Sequence, residues 1–422
     1  MPKNIIKSGF GYVNMDKGFK GIGFKSGSYL YKSIVAIITL GLVEIISNYA
    51  NTNLPLIRYA ISGISLYYFL MAVIYERSRY VGSGISRYLA YLYLAWVLII
   101  ALFGIVASLS GKYNYLDFKL LISGRLMMFL LPFIIIINTS KDTLKRVFFI
   151  ANIFADIYLI GSFLLIWHFI SNNNNDAELW IKSFGSCAVI IVLTIRYHSM
   201  KISIKSIVVF VVGAILTGYM ARRNVVIYCA SVLVFAASIY IADMGIKMKH
   251  KSMNILLVSI VFILMILYAA NLLDYSLLFE RLNQGFDSRS GVIQCFYDDF
   301  DVNGGWIVGR GMFGKVDGGN LGLRMAIENG YLYYVLHGGY IYLTFFVLLS
   351  VVSMYNLLFK SNNMLCKGYC ALLAINLIDM IGYGIPSLTL RYIYVWLAIA
   401  AGLSTNLRLM SDKEVGNAIS LK

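Results

Sequence analysis

Apolar residues in this chain fall in long unbroken blocks separated by short polar connections, not in the strict alternation of a half-buried strand. About 20 apolar residues in a row allow an α-helix to cross roughly 30 Å of hydrocarbon, where each backbone N–H and C=O must be satisfied within the segment. Such blocks lie near residues 30–47, 56–75, 88–108, 118–138, 148–170, 180–195, 203–219, 225–242, 253–272, 329–358, 368–385 and 389–406. The pattern predicts an all-α, polytopic integral membrane protein with about 12 transmembrane helices. It divides the chain into an N-terminal segment (1–29), spans 1–9 (30–272), a large hydrophilic outer loop between spans 9 and 10 (273–328), spans 10–12 (329–406) and a tail (407–422). Neither a repeat of fixed period nor an inverted pair of broken helices, the mark of many secondary transporters, is visible.

Composition agrees with the pattern. A chain of 422 residues that is 59% hydrophobic and 13% charged cannot hide its apolar surface in one water-soluble core. Its 32 tyrosines suit rings placed at membrane interfaces. The formal charge of +16 would suggest nucleic acid in a soluble protein, but here position decides its meaning. With the N-terminus inside, alternate connections carry Lys3 to Lys32, Arg77 to Arg87, Lys141 to Arg146, Arg196 to Lys205, Lys247 to Lys251, Lys360 and Lys367, and Arg408 to Lys422. That side collects 23 of the 36 basic residues, whereas outer connections such as 171–175 and 382–387 have almost none. This is the positive-inside pattern; it predicts cytoplasmic termini and sets nucleic-acid binding aside. The Lys- and Gly-rich first 28 residues lack the apolar core of a cleavable signal. Five cysteines, mostly in or beside spans, and four scattered histidines give neither a disulfide framework nor zinc spacing, so no metal or cofactor is expected.

The candidate chemistry lies on the outer face. Span 7 ends in Thr217-Gly218-Tyr219-Met220-Ala221-Arg222-Arg223-Asn224 and span 8 follows at once, so two arginines sit in a tight outer turn at a helix N-terminus. Free N–H groups and the helix dipole favour an anion there, and the planar guanidinium fork fits phosphate oxygens. The alternative is that both snorkel to headgroups. The large loop adds Arg281, Arg289 (in Asp287-Ser288-Arg289-Ser290-Gly291), Arg310 (in Gly309-Arg310-Gly311-Met312-Phe313-Gly314) and Arg324; pairing with nearby aspartates is their alternative role. Span 10 opens with Glu328-Asn329-Gly330-Tyr331-Leu332. Were this stretch helical, Glu328 and Tyr331 would share a face with Arg324 one turn back, bringing carboxylate, phenol and guanidinium onto one sugar. His337 would lie on the opposite side, about 13 Å deeper, where an interhelical hydrogen bond is the plainer role.

In this order, the Arg222-Arg223 span end, the loop with Arg289 and Gly309 to Gly314, and the Glu328-Asn329-Gly330-Tyr331-Leu332 span start resemble the Wzy/WaaL superfamily of O-antigen repeat-unit polymerases and O-antigen ligases. The motifs cover about residues 210–345, and the wider resemblance is topological. It implies a GT-C-like, metal-independent membrane glycosyltransferase of the bacterial inner membrane. Its donor would be an undecaprenyl-diphosphate-linked oligosaccharide, and its partners would include membrane lipid and a polysaccharide chain-length regulator. By motif position, Arg222, Arg223 and Arg289 would engage diphosphate, with Arg289 and Glu328 as the catalytic pair. Arg281, Arg310, Arg324, Tyr331 and His337 would complete the substrate contacts. Ligases of this family usually show histidine before the asparagine, so Glu328 shifts the expectation toward a polymerase acting at the periplasmic face. Arg310 also departs from the family, which often has an apolar residue there. The rivals are ligation to lipid A core and, from another class, a lipid-linked oligosaccharide flippase. The intramembrane acids Glu44, Asp156 and Asp379 are few and expected to be neutral or paired, which counts against a central charged path.

Overall fold

The computed structural model describes residues 28–49, 55–78, 82, 84–109, 124–137, 141–172, 176–220, 222–243, 288–318, 322–325, 327, 329–382 and 384–421. These are mostly helical: α1 (Ser28–Tyr49), α2 (Pro55–Tyr75), α3 (Ile85–Leu109), α4 (Leu126–Leu130), α5 (Lys141–Asn172), α6 (Asp176–Ser183), α7 (Val189–Val192), α8 (Met200–Tyr219) and α9 (Arg223–Asp243). Then come α10 (Ser288–Asn303), the two-residue strands β1 (Val316–Asp317) and β2 (Leu323–Arg324), α11 (Gly330–Phe359), α12 (Met364–Gly382), α13 (Leu390–Leu403), α14 (Thr405–Leu409) and α15 (Asp412–Ile419). Among the described residues, seven helices are long and apolar enough to cross a membrane, so the fold is that of an all-α polytopic membrane protein. Three further apolar helices, in 29–43, 126–136 and 390–403, are shorter. The expected ninth span, 253–272, and loop residues 273–287 lie outside the described residues.

Burial explains which helices are long. On α3 and α5, Phe103, Phe163 and Trp167 are more than 70% exposed, an apolar belt suited to lipid. In α13 every residue but Arg391 is buried, and a helix that is apolar all round belongs at the centre of a bundle. Its Trp396 lies 5.4 Å from Tyr93 of α3, which stacks on Tyr342 of α11, while the Tyr334 and Tyr392 hydroxyls share a 2.6 Å hydrogen bond. These rings tie three distant stretches of sequence into one core.

The expected span at 180–195 is broken. Its residues form α6, a 3₁₀ turn at Gly185–Ala188, α7 and a second 3₁₀ turn at Ile195–Tyr197. Residues 184–194 are buried throughout, and a side chain at Gly185 would meet Ile181 at 2.3 Å. Apolar content alone does not distinguish such a buried, kinked segment from a straight span. Residues 126–136 are likewise broken, with Pro132 at the start of a 3₁₀ turn.

The connections meet at two ends. At one, Arg77 bridges to Ile137, Arg196 pairs with Asp412, Lys141 with Glu414, and Asn362 N–H donates to the Arg408 carbonyl. Among the described residues, the connections near Arg77, Lys141, Arg196, Lys360 and Arg408, which the sequence assigns to one side, thus share an end of the bundle. The other end holds the start of α9, the start of α11, the end of α12 and the Gly304–Gly314 loop.

That loop reaches along α11 to a break in the helix. Gly339 has φ +70°, and there Tyr340 and Ile341 N–H donate to the carbonyls of Trp306 and Ile307, while Arg310 N–H donates to Leu336. The carbonyl of Gly338, orphaned by the break, accepts from Trp96 Nε1 at 3.1 Å. Irregular backbone at this depth persists because each strand of it satisfies the other.

Candidate functional site

At the α8–α9 turn, Arg222 N–H donates to the Thr217 carbonyl at 2.8 Å, and the Arg222 carbonyl accepts from Val225 and Val226. Arg222 therefore occupies the residue just before α9, as the tight turn in the sequence predicted. Its guanidinium lies 3.6 Å from Glu178, which also pairs with Lys182 one turn along α6. Next to it, Asn224 Nδ2 donates to the Gly382 carbonyl at the end of α12. For Arg223 only the backbone, the first residue of α9, is described.

The start of α11 reaches the same helix end. Asn329 caps α11 by accepting from Leu332 N–H, and its Nδ2 donates to the Ile381 carbonyl at 3.2 Å. Tyr331 donates its hydroxyl proton to the Leu377 carbonyl at 2.8 Å. Gly330 leaves room for α12: a side chain there would meet Met380 at 2.7 Å and the Gly384 carbonyl at 2.8 Å. Two motif segments more than a hundred residues apart thus bind adjacent carbonyls, Ile381 and Gly382, of one helix C-terminus, groups that α12 cannot satisfy itself.

Around this junction lies a charged cluster that the sequence reading did not single out. Arg391, at the start of α13, donates to Asp379 of α12 at 2.6 Å, and its guanidinium sits 4.0 Å above the Tyr228 ring of α9. Both members of the pair are largely buried. Two adjoining cavities of about 40 and 10 Å³ share Lys182 and Arg391 as walls; the larger is also lined by Asn376, Ser387 and Thr389, the smaller by Asn224, Tyr228 and Asp379. Asp379 was expected to be neutral or paired, and the structure pairs it; Asp156 is paired too, with Lys205 at 2.8 Å. The Glu44 side chain lies outside the described residues.

The other predicted residues fall elsewhere. Arg324 lies on β2, paired antiparallel with β1, and α11 begins only at Gly330 after the extended Asn329 (φ −148°, ψ 119°). The helical spacing that would have set Arg324, Glu328 and Tyr331 on one face therefore does not apply. Glu328 and Arg281 lie outside the described residues, and for Arg289 only its backbone, in the first turn of α10, is described. Arg310 is committed within the loop: it pairs with Asp299, donates to the carbonyls of Gly304 and Lys315, and stacks on Phe300 at 4.1 Å. Burial opposes ionisation of Asp299, but hydrogen bonds from Arg310, Asn303 and the Asp317 N–H outweigh it and hold the carboxyl below its usual range. The pair acts as a clamp shaping the loop.

His337 is fully buried, between Arg125 Nη2 at 3.0 Å and the Gly311 carbonyl at 2.8 Å. Arg125 can only donate, while the Met325 carbonyl also lies 3.2 Å from Nε2 and the Gly311 carbonyl faces Nδ1, so one donor and two carbonyls hold the ring. Arg125 Nε also donates to Met312. Histidine and arginine together fasten the Gly309–Gly314 turn to α11.

Compared with protein-family models, characterised proteins and solved structures, the chain shows no significant match.

Proposed function

We propose that this protein is a membrane glycosyltransferase of the polysaccharide-polymerase type, which transfers a glycan from one polyprenyl diphosphate to the end of a second lipid-linked repeat. The observation that carries the proposal is the meeting of the Arg222-Arg223-Asn224 and Asn329-Gly330-Tyr331 segments at the end of α12, beside an open cavity walled by Lys182 and Arg391. These are the segments on which the Wzy/WaaL resemblance rests, and fixed cations beside a departing diphosphate lower a barrier where negative charge builds. In this reading Arg222 and Arg223 hold the donor, and Glu328, which immediately precedes the capping Asn329, accepts the proton of the acceptor hydroxyl. Arg289 in the outer loop joins them. Energy for the bond comes from the lipid diphosphate itself, so the reaction draws on no nucleotide sugar.

The finer topology belongs to the same proposal. About twelve spans cross a bacterial inner membrane, with the basic Arg408 end in the cytoplasm and the Asn329 end facing the periplasm. The test is the length distribution of surface polysaccharide in cells carrying an Arg222→Ala, Arg223→Ala double variant at normal protein level. Loss of the polymer ladder is expected, and an unchanged ladder overturns the diphosphate role of this turn. If single repeats also fail to reach lipid A core in a polymerase-deficient background, the activity is ligation instead.

A further inference from the structure

Arg125 stands at the head of the apolar stretch 126–136. That stretch leads to Ile137, which bridges to Arg77 at the basic end of the bundle, and its α-helical and 3₁₀ turns place Arg125 about 20 Å from that end. Measured against about 30 Å of hydrocarbon, the guanidinium lies within the apolar layer. Its Nε donates to the Met312 carbonyl and its Nη2 lies 3.0 Å from His337 Nε2, but among the described residues no carboxylate pairs with it and Nη1 has no hydrogen bond. A charge at this depth is costly unless an opposite charge answers it, and such a residue marks a functional site. A second group beside it is short of a partner too. Tyr333, 3% exposed, lies one turn before His337 on α11, its ring centroid 4.3 Å from that of the imidazole. Its hydroxyl finds only the Met128 sulfur at 3.8 Å, and Met128 is one turn beyond Arg125 along α4. Sulfur is a weak acceptor, so guanidinium and phenol both hold protons for an acceptor that the described residues do not supply.

We propose that Arg125 and the Tyr333 hydroxyl receive a phosphate oxygen. Arg125 is partly exposed, so a ligand can reach it, and the planar guanidinium suits phosphate. A lipid brings its phosphate to this depth with its chain already in hydrocarbon, whereas a free anion would have to leave water. The contact adjoins the candidate site: a side chain at Gly124, the residue before Arg125, would meet Leu388 at 2.9 Å, and the neighbours of Leu388, Ser387 and Thr389, wall the larger cavity beside Arg391. Neither Arg125 nor Tyr333 is a residue to which the family resemblance assigns a role. That the lipid is a polyprenyl diphosphate rests on the proposed function; the phosphate contact does not.

The experiment is equilibrium binding to the full chain purified in neutral detergent, with farnesyl diphosphate, inorganic pyrophosphate and uncharged farnesol as probes. Wild type is compared with Arg125→Gln, Tyr333→Phe and the Arg222→Ala, Arg223→Ala protein. The wild type should bind the diphosphates and not farnesol. Arg125→Gln should weaken farnesyl diphosphate binding about tenfold or more, the scale of a hydrogen bond to a charged group. Tyr333→Phe removes a hydroxyl held only by sulfur, so the thermal midpoint should hold while binding weakens several-fold. That variant decides the matter if Arg125→Gln, which also releases the Gly309–Gly314 turn, does not fold. A greater loss for farnesyl diphosphate than for pyrophosphate marks a lipid source, and an equal loss marks the free anion. Wild-type protein that binds neither diphosphate, or binding of wild-type strength in Arg125→Gln or Tyr333→Phe, overturns the site. If the Arg222→Ala, Arg223→Ala protein alone loses binding, the site falls and the proposed function stands. Binding that depends on Arg125 and Tyr333, in a protein that makes no polymer, upholds the site and removes the glycosyltransferase reading.

Discussion

The break in α11 allows a quantitative test of how the loop is held. At Gly339 the backbone has φ +70° and ψ −173°, a region essentially closed to other residues, and an added Cβ would lie 2.0 Å from the Ile307 carbonyl oxygen. Gly339→Ala therefore meets both strain and collision with backbone that has no rotamer to escape into. Strain in such a region costs about 1–3 kcal/mol. Relief of the collision requires the loop to move away, which loses the hydrogen bonds from Tyr340 to Trp306 and from Ile341 to Ile307, each worth about 1 kcal/mol. Together the expected destabilisation is about 3–5 kcal/mol. Gly311 is the control: its φ is +79°, but an added Cβ meets nothing within 4 Å, so Gly311→Ala should cost only the strain. The assay is unfolding of both variants in the same detergent, followed by limited proteolysis of the 304–318 segment. Equal stability of the two variants, or a Gly339→Ala loop as protected as wild type, would refute the reasoning that backbone pairing at the break holds the loop.

Other predictions concern separate parts of the molecule. Because Asp299 is held below the usual carboxylate range, its contribution to the loop is complete above about pH 4 and is lost as pH falls through its lowered value. Loop protection in wild type should fall on acidification, while Asp299→Asn should start lower and change less; parallel pH profiles would contradict the clamp. Gly161 provides the slot for Trp180, with an added Cβ only 2.1 Å from the indole, so Gly161→Val should destabilise by about 1–3 kcal/mol or more through overpacking, read as a lowered thermal midpoint. Trp180→Phe in the Gly161→Val background should recover part of that loss. Glu178→Gln removes the carboxylate facing both Lys182 and Arg222 and should tighten pyrophosphate binding in the purified protein; weaker binding would argue that Glu178 positions the cations.

How far the sequence reaches differs from one element to another. The long lipid-facing helices follow directly from their apolar blocks, because a bilayer imposes one structural solution on such segments. The stretch at 180–195 does not, since burial inside protein and burial in lipid select the same residues. The start of α11 was readable: asparagine before a run of helix-forming residues is an N-cap signature, and giving it weight would have ended the helix at Gly330 and separated Arg324 from Tyr331. Arg222 occupies the helix-start position expected of it, whereas Arg310 and His337 are drawn into loop-fastening contacts that depend on tertiary neighbours Asp299 and Arg125. Arg391 left a signal that went unused. An arginine at the head of an otherwise apolar span, twelve residues beyond an intramembrane aspartate, marks a buried pair and its surroundings as a candidate site.

The most direct measurement places the purified chain in proteoliposomes with a polyprenyl-diphosphate-linked repeat unit as sole substrate and no nucleotide sugar, then resolves the products by size. Products of two, three and more repeats, lost in the Arg222→Ala, Arg223→Ala protein, are the predicted result. Substrate that stays a single repeat on its lipid, with protein folded and oriented, would contradict it.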